Sequence, residues 1–187
     1  MDQQKPPEFI LDVFSDPRSV REVVKGILHT IFFNRFFPSL APRTHEVLDV
    51  TLPYVNDDEL ETLIEQRAYA LERQLDAERL GGRGQITVQF FERKRRKAWL
   101  TRGEEEVCWE TWTIKVTVAE PRTENERAKV RRAMEQTLFA TAMKIVTFVN
   151  THKDHIPPIT TQGGNPFPYK INLESKETSW VSRIRMY

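Results

Sequence analysis

Apolar positions along the chain recur at two spacings, and each switch between them marks an element boundary. Residues 8–14 read EFILDVF, a short apolar run that predicts a buried strand. Val20, Val23, Val24, Ile27, Leu28, Ile31 and Phe32 then follow at helical spacing, giving an amphipathic helix with one strong core face. Asp16 is suited to cap that helix, with Pro17 at its first position, where a missing N–H costs nothing. Pro38 and Pro42 forbid its continuation. Residues 45–55, HEVLDVTLPYV, read as a strand that Pro53 confines to a sheet edge. Asn56 and Glu59 have capping-box spacing ahead of a second helix. Its apolar face is Leu60, Leu63, Ile64, Ala68, Leu71 and Leu75, and the glycines of LGGRG at 80–84 stop it.

The period then changes to two. In QITVQFFER (85–93), Ile86, Val88 and Phe90 alternate with polar residues; in CWETWTIKVTV (108–118), Trp112, Ile114, Val116 and Val118 share one face. Consecutive and alike, these runs predict an antiparallel pair joined by residues 94–107. By the same parity Cys108 faces the core, while Trp109 and Trp112 lie on opposite faces, so one of the two should point away from it. Thr123 and Glu126 form a second capping box for a helix to about Asn150. Val130, Met134, Leu138, Phe139, Ala142, Ile145, Val146, Phe148 and Val149 cover about half its circumference, wider than the stripe of about 100° that a surface helix needs. That helix is either covered on two sides or offers its second side to a partner. After a proline- and glycine-rich loop at 156–166, FPYKINLE (167–174) and WVSRIRM (180–186) predict a closing hairpin. The order β-α-β-α-ββ-α-ββ favours an α+β fold, with three helices on a mainly antiparallel sheet.

Composition supports a packed fold: the 187 residues are 39% hydrophobic and 10% aromatic, including 11 Phe and 4 Trp. Residues 1–7 read as a flexible tail and 8–187 as one domain. With 28 basic and 27 acidic residues, the net charge of +1 gives no whole-molecule attraction to nucleic acid or an anionic membrane. The single Cys108 excludes an internal disulfide. The polar start MDQQKPPEF lacks the features of a signal peptide, and no apolar run reaches the length of a membrane span, which predicts a cytosolic or nuclear protein.

A search for chemistry finds no catalytic constellation. His152 and His155 flank the end of the third helix, without the Cys or carboxylate set that completes a metal site. They read as ordinary helix-end histidines, and His29 has no obvious orienting partner. The phosphate-cradling glycine motifs are absent. No enzymatic activity, metal or cofactor is expected. One segment resists a bland reading: RKRRKAWLTRGEEEVCW (93–109) holds Trp99 between five cations and three glutamates. Three readings are open. The cluster Arg93 to Lys97 could bind nucleic acid or an anionic membrane, with the ring stacking. The loop could be a solvated hairpin with its Trp folded back onto the sheet. Or an exposed Trp could anchor a partner, with charge on both arms keeping the loop soluble.

The segments ILHTIFFNR (27–35), GQITVQFFERKRRKAW (84–99), WETWTIKVTV (109–118) and PYKI (168–171) resemble, in order and spacing, those of the autophagy-related protein 101 family. The resemblance implies a HORMA fold without enzymatic activity, in a subunit of the autophagy-initiation kinase complex. It implies heterodimerisation with the HORMA domain of autophagy-related protein 13, which would use the wide apolar arc of the third helix. It implies recruitment to the pre-autophagosomal structure. It also implies a tryptophan–phenylalanine finger (the WF finger) that brings in downstream autophagy factors. The finger's tryptophan matches Trp99. Its phenylalanine has no identical match in WLTRG, where Leu100 is the nearest apolar substitute.

Overall fold

The computed structural model describes residues 5–38, 40–77, 82–95 and 103–174. Within them the order is β1 (Glu8–Ser15), α1 (Val20–Arg35), β2 (Arg43–Val47), β3 (Val50–Tyr54), α2 (Asp58–Asp76), β4 (Arg83–Arg95), β5 (Glu104–Val118), α3 (Glu124–Thr151) and β6 (Tyr169–Leu173). The described strands β1, β5, β4 and β6 form one sheet in that spatial order, and β2 and β3 pair separately. Among the described strands only the β1–β5 pairing is parallel; β4 runs antiparallel to both β5 and β6. The expected α+β class, three helices on a mainly antiparallel sheet, is what the chain adopts.

The core lies between one face of this sheet and the helices. Val24, Leu28, Ile31 and Phe32 of α1, Leu60, Ile64 and Leu71 of α2, and Ile86, Val88, Trp112 and Ile114 of the sheet are all fully buried within it. The predicted periodicity thus assigns the faces of α1 and α2 correctly. β1 differs from its expectation. Its burial alternates, with Phe9, Leu11 and Val13 inward and Ile10 42% exposed, so it is a half-buried strand on the sheet's parallel flank.

Helix starts shift by small steps with clear causes. Asp16 does accept the Ser19 N–H at 2.8 Å, but it closes a single turn, and the regular helix begins only at Val20. In α2 the cap is Asp57, whose carboxylate accepts from Leu60 N at 2.9 Å, one residue beyond the Asn56 expected. In α3 the predicted Thr123–Glu126 capping box is complete. Residues 45–55 fold as a tight hairpin in place of one strand. Leu48 and Asp49 turn it with φ of 50° and 61°, the left-handed pair that suits the twist of the flanking strands. Neither is glycine, which is why the turn is hard to read from sequence. The expected strand at 180–186 lies outside the described residues.

The largest correction is in β5. The register slips between Phe90, opposite Glu110, and Phe91, opposite Cys108, leaving Trp109 as the extra residue of a bulge. A bulge shifts side-chain parity by one position. Trp109 and Trp112 are therefore both buried, at 5% and 0% exposed, against the expectation that one would face out. Cys108 moves to the opposite face from that predicted, half-buried with its Sγ 3.5 Å from Thr111 Oγ1.

Candidate interaction sites and a buried charge cluster

The four-stranded sheet narrows at one end. β6 pairs with β4 only over 86–90, and β1 with β5 only over 111–118. Beyond the Trp109 bulge, residues 91–95 and 104–108 continue as a two-stranded ribbon. Its cations face its glutamates: Arg93 opposes Glu106, Lys94 opposes Glu105, and Arg95 opposes Glu104. Cross-strand pairs of opposite charge stabilise a ladder modestly and cancel much of its field. At the root, Lys170 Nζ lies 3.3 Å from Glu106 and 4.7 Å from the centre of the Phe91 ring. The described part of the basic cluster is thus charge-compensated. Trp99 and Leu100, the site residues expected from sequence, lie outside the described residues, as do Arg96 and Lys97.

The wide apolar arc of α3 divides in two. Met134, Leu138, Ile145 and Val149 are buried against the body. Phe139, Met143 and Val146, at i, i+4 and i+7, form an outward stripe at 59%, 50% and 37% exposure. Beside it, between β1 and α3, runs a cleft of about 420 Å³ lined by Leu11, Asp12, Gln136, Ala140 and Lys144 among others. Apolar side chains grouped this way on one helix face mark an interaction surface more strongly than single exposed residues do.

A third cluster was not foreseen. Glu110, immediately after the bulge, has no exposed surface. Its carboxylate accepts Arg35 Nε on both oxygens, at 3.1 and 3.0 Å, and Trp112 Nε1 at 2.7 Å, and it lies 2.8 Å from His155 Nε2. Arg35 Nη2 also donates to the His152 carbonyl at 2.8 Å. One carboxylate thus joins the end of α1, the centre of β5 and the segment after α3. The sequence signal was a charged residue between two tryptophans, WETW, at the parity that Trp112, Ile114 and Val116 give to the core. His155 is accordingly a partner of the buried charge, where only a helix-end role was expected. With both carboxylate oxygens bonded and no exposed surface, Glu110 ties these three elements together.

His29 is buried between α1 and β3. Its Nδ1 accepts from Val55 N at 3.3 Å, and its ring stacks on Tyr54 at 4.3 Å. Burial holds its pKa down at about 4, so the ring is neutral. Among the described residues, no group of three or more His, Cys, Asp or Glu side chains could hold a metal ion. No described helix is long and apolar enough to cross a membrane.

Comparison with known proteins returns one consistent family. The profile of autophagy-related protein 101 matches residues 12–163. The chain is 30% identical over 167 residues to autophagy-related protein 101 of Schizosaccharomyces pombe, covering 88% of this chain and 85% of that one. It is 28% identical over 181 residues to the Arabidopsis thaliana protein of that name, covering 86% and 83%. It is 25% identical over 192 residues to the Homo sapiens protein, covering 88% and 87%.

Proposed function

The chain belongs to the autophagy-related protein 101 family, and from that premise we propose that it is a non-catalytic adaptor of the autophagy-initiation kinase complex. It pairs with the HORMA domain of autophagy-related protein 13, stabilises that partner, and recruits downstream factors through Trp99 and Leu100. The protein acts in the cytoplasm and is brought to the pre-autophagosomal structure.

The observation that carries the pairing is the outward stripe of Phe139, Met143 and Val146 on α3. A 28-residue helix that buries one apolar face and displays another is suited to lie against a second domain. The ribbon supports the recruiting role. It extends past both flanking strands, its paired charges keep it soluble, and it leads on both arms into the segment that holds Trp99. The facing glutamates also weigh against the rival reading, in which Arg93 to Lys97 grip nucleic acid or an anionic membrane.

The test is chromatography with light scattering on this chain, alone and co-expressed with its organism's autophagy-related protein 13 HORMA domain. A one-to-one species that persists in high salt is the expected result, because an apolar interface is weakly screened. Absence of a complex from two well-folded chains would overturn the pairing. Salt-sensitive binding to nucleic acid or anionic vesicles would revive the rival.

A further inference from the structure

The segment between α3 and β6 is fastened to the body at its two ends and exposed in its middle. At the first end, Arg35 Nη2 holds the His152 carbonyl, His155 Nε2 meets Glu110 Oε1, and Ile156 packs against the core. At the second end, Phe167 is buried, edge-on to Trp109 at 5.1 Å and to Phe37 at 5.8 Å, and the Pro168 carbonyl accepts from Phe91 N at 2.8 Å. Residues 158–165 between these fastenings are exposed and include Gly163 and Gly164 at φ of 74° and 70°. Such a pair allows a change of direction that other residues resist.

Both fastenings converge on the root of the ribbon. Trp109 is the bulge residue from which the ribbon departs, and the His155 ring (5.8 Å) and the Phe167 ring (5.1 Å) both pack against it. Glu110 is the next residue. Phe91, which takes the Pro168 bond, is the first ribbon residue on the opposite strand.

We propose that residues 152–168 are a strap whose latch is the His155–Glu110 bond, and that a closed strap stiffens the root of the β4–β5 ribbon. The latch is the weak point of the cluster for a physical reason. Arg35 and Glu110 neutralise one another in the interior, and separating them would strand a buried charge. His155 is partly open to water, at 21% side-chain exposure, so water can replace its bond when it leaves. Opening the strap removes one donor from Glu110 and leaves the Arg35 and Trp112 bonds in place. It also withdraws the His155 ring from Trp109. The ribbon then loses side-chain support at the place where it leaves the sheet. None of this depends on what the ribbon binds.

Hydrogen–deuterium exchange on the full chain, read by mass spectrometry, tests it with His155→Ala and His155→Gln. His155→Ala is expected to speed exchange about tenfold in 153–168 and in 91–95 with 104–108, with α1 and residues 111–118 unchanged. His155→Gln, which can still donate to Glu110, is expected to restore most of that protection. Unchanged exchange in the alanine variant would overturn the proposal, as would a uniform rise that includes α1. A glutamine variant as fast as alanine would also overturn it, because the bond would then not be the latch.

Discussion

Glu110 accepts the Arg35 Nε–H on both of its carboxylate oxygens, and neither residue is more than 3% exposed. A buried pair of this kind is costly to break from one side, because the survivor keeps its charge without its partner. Glu110→Leu is therefore expected to destabilise the chain by about 3–5 kcal/mol, a fall in Tm of roughly 6–20 °C. Replacing both partners, with Arg35→Met and Glu110→Leu together, should cost less than the two single changes added. Thermal denaturation of the four proteins of this cycle measures the coupling. Additive costs would show that the pair acts independently.

His29 predicts a pH dependence with a definite sign. Its folded pKa, about 4, lies below the ordinary value of 6.5 because burial disfavours the imidazolium. Above pH 6.5 the ring is neutral in both states and contributes no slope. Between 6.5 and 4 the unfolded chain takes a proton that the folded one refuses, so stability falls as the pH falls. The full loss is on the order of 3 kcal/mol. His29→Gln, which keeps an acceptor for Val55 N, should lose less stability than the parent between pH 6.5 and 4. Urea titrations at several pH values read the difference, and parallel curves would show that His29 does not titrate as described.

The faces of α1 and α2 and the antiparallel β4–β5 pair were legible in the sequence because period 3.6 and period 2 each follow from one buried side. The Thr123–Glu126 box was legible because it is a local contact over three residues. What escaped were features set by partners distant in sequence. The parallel seating of β1 on β5 joins residues about a hundred positions apart, as in Leu11 opposite Ile114. The bulge at Trp109 has no glycine to announce it, yet it reverses the parity of everything on one side of it. Glu110 could be seen as an oddity between tryptophans but not paired, since Arg35 and His155 reach it from other elements. The outward stripe of α3 could be suspected from the width of its apolar arc. Which residues formed the stripe depended on the body packed against the other side.

Trp99 separates a binding role from a packing role. If the ring is displayed on the ribbon for another protein, Trp99→Ala should change stability by no more than about 0.5 kcal/mol and leave heterodimer formation intact. Recruitment of downstream autophagy factors should fall at least about tenfold, as for an aromatic anchor. Leu100→Ala should weaken it by a smaller factor. Denaturation and pull-down on the same preparations decide the matter. A loss of several kcal/mol from Trp99→Ala, the cost of emptying a core position, would mean that the ring folds back onto the sheet.

The outward stripe of α3 can be separated from its inward face by two substitutions five residues apart. Met143 is half exposed, so Met143→Glu places a charge where water already reaches and should barely move the Tm of the isolated chain. In a heterodimer that covers the stripe, the same carboxylate would be buried without a partner, and pairing should weaken at least about a hundredfold. Leu138 is 2% exposed on the inner face. Leu138→Ala should cost about 2–5 kcal/mol of stability and disturb pairing only through that loss. The two variants therefore predict opposite patterns in denaturation and in light-scattering chromatography. Pairing that survives Met143→Glu unchanged would move the interface off this stripe, and the apolar side chains at 139, 143 and 146 would then need a different occupant.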